Sequence, residues 1–339
     1  MTRFPRTSIG STGLAVPALG FGAASVGNLY RAMSDAAARE TLQCALDQGI
    51  ALFDTAPHYG QGLSERRVGA VISGHDVVLS TKVGRVLKPT TPHDRGTERY
   101  GFIDGDPYEP EFDYSYDGVM RAFNDSRHRL GGAPVDILLA HDLGEVTHGD
   151  AHAHHLKAFL DGGYHAMRAL KDGGQIRAIG LGVNEWQICE EILGHADIDV
   201  VLLAGRYTLL EQTALSSFLP LCERRGVSVL AAGVFNSGIL SGGTAYNYAP
   251  APETVRSRVQ ALKAVCDSHN VPLAAVALQF PLAHPAIAGA IVGMASPAEV
   301  TQNIDWFNRS IPAGLWSDLK AETLLPDDAP TPAPEKVHT

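Results

Sequence analysis

Residues 76–84 read DVVLSTKVG, an apolar run that stops at a lysine, Lys82. The run is apolar throughout rather than alternating with polar residues, which is typical of a parallel strand covered on both faces. Seven more runs of this kind lie along the chain, at 17–24, 51–56, 135–142, 176–183, 199–205, 227–234 and 287–294. Amphipathic segments separate them. The sequence therefore predicts an α/β protein with one domain, a (β/α)8 TIM barrel over residues 1–325.

An open, doubly wound sheet is the alternative fold for the same alternation of strands and helices. A dinucleotide-binding sheet of that kind requires the spacing GxGxxG after its first strand. The first strand here gives GFGAASVG (20–27), and its glycines Gly20, Gly22 and Gly27 do not fit that spacing. We therefore favour the closed barrel.

Composition limits the classes of partner. The chain has 339 residues and a formal net charge of −10, and an acidic surface repels the phosphates of nucleic acid and of anionic membranes. The four cysteines include no CxxC pair, which indicates free thiols in a reducing compartment. Prolines and polar residues interrupt the apolar run 274–294, so it predicts no membrane span, and the N-terminus lacks a signal-peptide pattern. We expect a cytoplasmic protein, as a monomer or a small homo-oligomer.

Two connections are longer than a barrel requires. Residues 85–115 follow the third strand and 143–163 follow the fourth, and both leave the C-terminal face, where barrel active sites lie. Long loops there are often lids or specificity loops, and plain surface loops are the alternative. The second contains THGDAHAHH, whose histidines (148–155) fit no zinc spacing, so we predict no metal site. Residues 326–339 are predicted to form a disordered tail.

Polar side chains end three consecutive strands. The second strand ends at Asp54, the third at Lys82 and the fourth at His141, while Tyr59 follows on the loop after Asp54. Each residue alone also fits an ordinary solvated or core position, but in a barrel all of them reach one face. An ammonium lowers the pKa of a nearby phenol, and a carboxylate keeps that ammonium charged. Since a histidine can bond the reacting oxygen, the set predicts a tyrosine acid/base that suits hydride transfer with a nicotinamide.

Four segments, in this order along the chain, resemble the aldo-keto reductase family: FDTAPHYGQGLSERRVGAVI, LSTKVG, DILLAHD and IRAIGLGVNEW. RTSIGSTGLAVPALGFG (6–22) is similar to that family's N-terminal hairpin and first strand, so the resemblance covers nearly the whole chain. It implies a (β/α)8 barrel with an N-terminal β-hairpin and a nicotinamide cofactor bound in extended form. It also implies that Tyr59 is the acid/base, that Lys82 and Asp54 tune it, and that His141 orients the substrate.

The resemblance further implies a set of cofactor contacts. Asn184 stands in the region where most members bind the carboxamide with Ser-Asn, and it keeps an amide. The usual glutamine after the sixth strand is replaced by Ala204, and the usual stacking aromatic after the seventh by Ala232. The loop 233–243 is the expected pyrophosphate belt, and Phe235 is a candidate for the missing stacking. The expected contacts are Asn184, Gly233, Phe235, Ser237, Gly238, Leu240, Gly293, Ser296, Glu299 and Asn303.

The end of the eighth strand indicates which nicotinamide cofactor is preferred. Members of the family that prefer NADP place a lysine near Gly293 and an arginine near Glu299. Here one cation is absent and the other is a carboxylate, which repels a 2′-phosphate but accepts bonds from a ribose hydroxyl. We therefore expect NAD as the preferred cofactor, with NADP as the alternative. If Glu299 points to solvent and other loops hold the phosphate, its charge gives no preference for NAD.

The resemblance also implies a reaction. The subgroup that the chain most resembles contains aldose 1-dehydrogenases, which share the long insertion, FDYSYDGVMRAF (112–123) and GLGVNEW (180–186). The implied reaction oxidises the anomeric hydroxyl of an aldose such as L-fucose, L-galactose or D-arabinose to the lactone. Tyr59 would take the hydroxyl proton, and C1 would give its hydride to NAD+.

Two alternatives stay open. Pyridoxal 4-dehydrogenase belongs to the same subgroup and makes the same bond change, from the hemiacetal of pyridoxal to 4-pyridoxolactone. Aromatic residues within 100–114 suit either a pyridine ring or a sugar face. Some other members of the family are cofactor-sensing regulatory subunits of channels, and they keep the same four polar residues. The sequence does not separate pyridoxal from an aldose as the substrate, and it favours either enzyme over a regulatory subunit.

Overall fold

The computed structural model describes residues 4–332, and its centre is a closed barrel of eight parallel strands. In chain order the barrel strands are Leu19–Gly22, Leu52–Asp54, Val78–Val83, Ile137–His141, Ala178–Val183, Val200–Ala204, Ser228–Ala232 and Ile287–Gly293. Each strand pairs with the next, and the eighth pairs with the first. The prediction of a (β/α)8 barrel is confirmed.

An N-terminal hairpin closes the bottom of the barrel. Its strands, Arg6–Ser8 and Ala15–Pro17, pair antiparallel. The buried side chains of Ile9 and Leu14 join a hydrophobic cluster with Leu52, which begins the second barrel strand. Because this cluster fills the N-terminal end, the functional groups at the C-terminal ends of the strands lie at the opposite mouth.

Helices surround the barrel, and most of them bury an apolar face. The first begins after Ser34, whose side chain accepts a bond from the Ala37 amide and so caps the helix. The helices are Asp35–Asp47, Leu63–Ile72, Tyr116–Arg129, Glu145–His148, His152–Ala158, Tyr164–Asp172, Gln187–Leu193, Phe218–Arg225, Glu253–Ser268, Leu273–Gln279, Pro297–Phe307 and Ala313–Ala321.

Both long connections at the C-terminal mouth are ordered. The one after the third strand folds back as Arg85–Pro89 paired with Tyr108–Phe112, and its tip is a small hairpin of Glu98–Arg99 and Phe102–Ile103. The one after the fourth strand is mostly helical rather than an open loop, and a π-helical turn over 159–163 joins it to the helix Tyr164–Asp172.

The end of the chain is described only in part. Residues 326–332 follow the last helix, and Ala329 is buried there. Residues 333–339 lie outside the described part, so the disordered tail and the domain boundary at residue 325 stay predictions. Within residues 4–332, no helix has both the length and the apolar character that a membrane crossing needs.

Candidate active site

The second and third strands bring a buried ion pair to the C-terminal mouth of the barrel. Asp54 is the last residue of the second strand, and Lys82 lies one residue before the end of the third. Lys82 Nζ is 2.7 Å from Asp54 Oδ2 and 2.9 Å from the Thr55 carbonyl oxygen. The hydroxyl of Ser80 donates to the other carboxylate oxygen of Asp54. Because both charged side chains are buried, these bonds hold the pair in one arrangement.

A tight turn after the second strand places Tyr59 over this ion pair. The Tyr59 amide donates to the Ala56 carbonyl oxygen at 3.1 Å. Gly60 has a φ of 63°, and a side chain there would collide with the Gly27 carbonyl oxygen, so the turn requires glycine beside the tyrosine. Lys82 Nζ lies 4.6 Å from the centroid of the Tyr59 ring. The phenol and the ammonium predicted from the sequence therefore lie together.

The surroundings of Tyr59 favour a phenol that keeps its proton. Burial raises the pKa of Tyr59 to about 12, while the charge of Lys82 and a hydrogen bond to it act in the opposite direction. From the sequence we expect the lysine to lower this pKa, but desolvation outweighs that effect. Burial also acts to lower the pKa of Lys82, but the Asp54 carboxylate raises it overall, so the lysine is charged.

His141 completes the group from the end of the fourth strand. Its ring centroid lies 5.8 Å from that of Tyr59. Burial, followed by the charges of Arg85 and Lys82, holds the pKa of His141 well below its ordinary value. His141 is therefore a neutral imidazole that can exchange a hydrogen bond with an oxygen in the barrel mouth.

A cavity of about 430 Å³ opens above these side chains. His58 lines it and packs edge-on against Phe102, with ring centroids 5.5 Å apart. Burial and the charges of Arg85 and Lys82 lower the pKa of His58 to about 3, so this histidine is neutral as well. The aromatic and histidine side chains that line the cavity are Tyr30, His58, Tyr59, Tyr100, Phe102, His141 and Tyr248.

Tyr248 reaches the cavity from a hairpin late in the chain, and sequence reasoning missed it. The hairpin pairs Ala245–Tyr246 with Ala249–Pro250. The Tyr248 amide donates to Ser237 Oγ at 3.0 Å, which ties the hairpin to the loop 233–243. Ala204, the position without the usual glutamine, lines the same cavity as Tyr248. The Asn-Tyr hairpin tip was the only local signal that could have indicated this contact.

The loop 233–243 contributes residues to a gap beside this cavity and to a second cavity. Asn184, Gly233 and Ser237 line a small gap of about 30 Å³ together with Tyr248. Beyond the gap, Leu240 and neighbouring residues of the loop line a second cavity of about 470 Å³. Residues of the loop predicted as a pyrophosphate belt therefore line both the gap beside the first cavity and the second cavity. Within this loop, Gly238 adopts a φ of 97°.

Phe235 is the candidate that the sequence offers for the missing stacking. It packs edge-on against Trp306 with ring centroids 5.7 Å apart, and Trp306 lines the second cavity. Among the described residues, Tyr248 rather than Phe235 contributes an aromatic ring to the catalytic cavity. The stacking role of Phe235 therefore stays a prediction.

The remaining predicted contacts lie at the eighth strand and the helix after it. Gly293 ends the strand, and Ser296 caps the helix Pro297–Phe307 by accepting a bond from the Glu299 amide. Glu299 Oε2 accepts a 2.8 Å bond from the Ala295 amide, so its carboxylate also takes part in the cap. Asn303 is buried, and its Oδ1 has no hydrogen-bond partner among the described residues.

The histidine-rich segment stands apart from the cavity. The rings of His148 and His155 lie 4.2 Å apart, and His148 Nε2 is 3.1 Å from the Tyr114 hydroxyl. Within the described part of the chain, no group of three or more His, Cys, Asp or Glu side chains could hold a metal ion.

The C-terminal mouth of this closed barrel combines a phenol, a carboxylate-paired ammonium and a neutral imidazole. That combination is typical of barrel oxidoreductases. The chain matches the model of the Aldo/keto reductase family over residues 18–321 and belongs to that family. Members of the family use nicotinamide cofactors.

Similarity to named proteins narrows the subgroup. The chain is 44% identical to a pyridoxal 4-dehydrogenase of Microbacterium luteolum, over 94% of this chain and 98% of that protein. It is 38% identical to a D-threo-aldose 1-dehydrogenase of a Pseudomonas species, over 93% of this chain and 97% of that protein. Among solved structures, an aldo-keto reductase of Bacillus halodurans in its holo form matches with a TM-score of 0.73 at 25% identity, over 99% of both chains.

Proposed function

We propose that this protein is a dehydrogenase that oxidises a ring hemiacetal to a lactone, with pyridoxal as its substrate. The observation that carries the proposal is the placement of the Tyr59 phenol over the Lys82–Asp54 pair, beside neutral His141, in a cavity walled by aromatic rings. Both relatives described above are named for dehydrogenation of compounds that form cyclic hemiacetals.

The chain's own residues handle the hydroxyl proton. Tyr59 in its phenolate form takes the proton from the hemiacetal hydroxyl, and Lys82 stabilises that phenolate by charge and by a hydrogen bond. Asp54 keeps Lys82 protonated. His141 holds the oxygen that becomes the lactone carbonyl. A bound oxidised nicotinamide would accept the hydride from the same carbon, which completes the two-electron oxidation.

The walls of the cavity favour an uncharged or cationic planar ring. Tyr100 and Phe102 offer ring faces and edges on which a pyridine ring can stack. Among the described residues, Lys82 is the one Lys or Arg side chain that lines the cavity, and Asp54 already neutralises it. Glu98 adds a carboxylate to the lining. These charges oppose a phosphate group, so we expect free pyridoxal to be oxidised and pyridoxal phosphate to be rejected.

An aldose is the second candidate substrate. The 38% identical relative is named for aldoses, and a sugar ring can use aromatic faces together with polar groups. His58 and Asn184 both line the cavity and supply such polar groups. L-fucose, L-galactose and D-arabinose are therefore the sugars to compare with pyridoxal.

The two cavities and the belt between them fit an extended dinucleotide. Nicotinamide would lie in the first cavity beside Asn184 and Tyr248, and the adenosine would lie in the second beside Leu240. The orphan Oδ1 of Asn303 is an acceptor that the amino group of adenine can satisfy. Glu299 lies in the same helix as Trp306 of the second cavity, and we propose that it favours NAD, because its carboxylate would repel the 2′-phosphate of NADP. We further propose a cytoplasmic monomer or small homo-oligomer, in keeping with four free thiols.

A screen of NAD+ reduction tests this function. Pyridoxal, pyridoxal phosphate and the three aldoses are compared by the appearance of reduced cofactor and by chromatographic detection of the lactone. We expect the highest kcat/KM for pyridoxal and a drop of about 10²- to 10⁴-fold in kcat for Tyr59→Phe. A higher kcat/KM for an aldose would replace pyridoxal with the second candidate.

The same screen tests a role of another class. Cofactor binding without turnover on any of these compounds would contradict the proposal and favour a cofactor-sensing subunit. Activity that survives in Tyr59→Phe would remove the tyrosine from its assigned role.

A further inference from the structure

We propose that Arg85 is a positioning residue that holds His141 as the imidazole tautomer with its proton on Nε2. The substrate oxygen would then always meet a hydrogen-bond donor on this histidine. The effect on catalysis rests on the proposed function, whereas the tautomer itself is a property of the protein alone.

The chain after the third strand is shaped so that Arg85 returns to the barrel mouth. Gly84 ends the strand's apolar run with a φ of 98°, and a side chain there would collide with the ring of Tyr114. This turn starts the strand Arg85–Pro89, which pairs with Tyr108–Phe112. The insertion is therefore folded in a way that sends its first side chain back toward the end of the fourth strand.

Three contacts fix the guanidinium of Arg85. Nη1 lies 2.8 Å from Asp142 Oδ2 in an ion pair whose two side chains are largely buried. The guanidinium carbon lies 4.6 Å from the centroid of the Phe112 ring. Nη1 also lies 3.0 Å from His141 Nδ1. Because the side chain is 10% exposed, it has little freedom to leave this position.

The contact with His141 has only one chemical interpretation. A guanidinium donates hydrogen bonds and accepts none, so Nδ1 of His141 must present its lone pair. In a neutral imidazole the proton then resides on Nε2. Nε2 is 3.5 Å from Asp142 Oδ2, which is longer than an ordinary N–H···O bond, and His141 lines the cavity. The Nε2 proton is thus available to an oxygen that enters the cavity.

The charges that face His141 keep this arrangement across the working pH range. Arg85, Lys82 and the ring of His58 act to lower its pKa in addition to burial. Asp142 faces the same ring but is paired with Arg85. The Tyr59 ring lies against the imidazole, and the Tyr114 hydroxyl donates to the His141 carbonyl oxygen at 2.5 Å. Removal of the arginine charge should therefore raise the pKa of His141.

The first test observes the tautomer directly in the protein without substrate. The protein is labelled with ¹⁵N-histidine, and the resonance of His141 is identified by its loss in His141→Ala. We expect a protonated, pyrrole-type Nε2 and a pyridine-type Nδ1 at neutral pH. Arg85→Met, which keeps an aliphatic stem against Phe112 but has no donor, should show both tautomers and a raised pKa. Arg99→Met, a matched change in the same insertion, should leave the His141 signals as they are.

The second test is a double-mutant cycle in the oxidation reaction. Arg85→Met should lower kcat by about 10- to 100-fold, the effect of losing a hydrogen bond to a charged group, with the KM for cofactor unchanged. In the His141→Ala background the same change should cost nothing further, because the group that it positions is absent.

Three results would overturn the proposal. They are a proton on Nδ1 in the wild-type protein, an unchanged tautomer in Arg85→Met, and an equal loss of kcat in the presence and absence of His141. The last would assign Arg85 a purely structural role. If the proposed reaction itself fails, the NMR measurement still decides the tautomer, so the two failures are distinguishable.

Discussion

Two neighbours on the third barrel strand, Thr81 and Lys82, point to opposite faces of the sheet, and each contacts a buried carboxylate. Lys82 points into the barrel and pairs with Asp54 at 2.7 Å. Thr81 points outward to the first surrounding layer, where its hydroxyl donates to Glu65 at 2.6 Å. Glu65 in turn pairs with Arg129 at 2.6 Å. Two consecutive residues of one strand therefore contact two different buried ion pairs, one on each face of the sheet.

The two pairs differ in what surrounds them. Both oxygens of Glu65 are bonded, one to Thr81 and the other to Arg129, and the carboxylate is fully buried. The inner pair is buried as well, but Lys82 also lines the catalytic cavity and lies against Tyr59. A buried charge is therefore not by itself a sign of catalysis. A buried charge indicates a catalytic role when it also contacts a group that lines a cavity.

The largest effect should come from breaking the inner pair. Lys82→Met removes the charge that stabilises the Tyr59 phenolate, so the pKa of Tyr59 should rise above its already raised value. The proposed oxidation needs the phenolate, and less of the phenolate would be present at any given pH. We expect kcat for oxidation to fall by about 10²- to 10⁴-fold and its rise with pH to move to higher pH. The pH dependence of kcat for both proteins measures this.

An identical pH dependence of kcat in the wild type and in Lys82→Met would contradict this assignment. The lysine would then not act through the phenol. In the reverse reaction the protonated phenol is the active form, so reduction of a carbonyl should decline as pH rises in the wild type.

Breaking the outer pair should affect stability and leave catalysis intact. Glu65→Gln leaves the Arg129 charge without its carboxylate in a largely buried position, and loss of one partner of a buried pair costs about 3–5 kcal/mol. Thermal unfolding should show a clear drop in Tm, while kcat of the folded enzyme stays close to wild type. Thr81→Val is the matched milder variant, because it removes one hydrogen bond to the same carboxylate. A large loss of kcat in either variant would mean that the outer pair also serves the active site.

Sequence reasoning located the inner group because strand ends in a parallel barrel converge at one mouth. Asp54, Lys82 and His141 each stand at or near the end of an apolar run, and a charge at such a place has few ordinary explanations. The same reasoning does not predict that the pKa of Tyr59 is raised rather than lowered. It depends on the balance between burial and the Lys82 charge, and burial is a property of the packed molecule.

The other parts of the site have no comparable signature in the sequence. Tyr248 arrives on a hairpin tip where Asn247 and Tyr248 adopt φ values of 46° and 63°. Long-range bonds hold the tip, from the Tyr248 amide to Ser237 and from Arg206 to Asn247. Arg85 likewise depends on the turn at Gly84. Such contacts depend on tertiary packing between segments that are far apart in the chain.

The smallest predicted effect concerns Glu299. Its carboxylate takes part in a helix cap, and we propose that it also repels the 2′-phosphate of NADP. Glu299 Oε2 accepts the Ala295 amide proton, and Oε1 lies 3.6 Å from Arg31 Nη2. Both side chains are largely exposed, so the ion pair itself contributes little to stability. Glu299→Gln keeps an acceptor for Ala295 and removes the charge. We expect kcat/KM for NADP+ to rise about tenfold while kcat/KM for NAD+ stays nearly constant.

The gain with NADP+ should depend on Arg31. Once the carboxylate is neutral, the Arg31 guanidinium has no competing anion and can meet a 2′-phosphate, so Arg31→Gln combined with Glu299→Gln should lose the gain. Arg31→Gln alone should change little, because in the wild type Glu299 offsets its charge. Measurement of kcat/KM for both cofactors in the four proteins completes the cycle. An NADP+ preference in the wild type would show that the carboxylate serves the helix cap alone. Glu299 would then have a purely structural role, like Glu65.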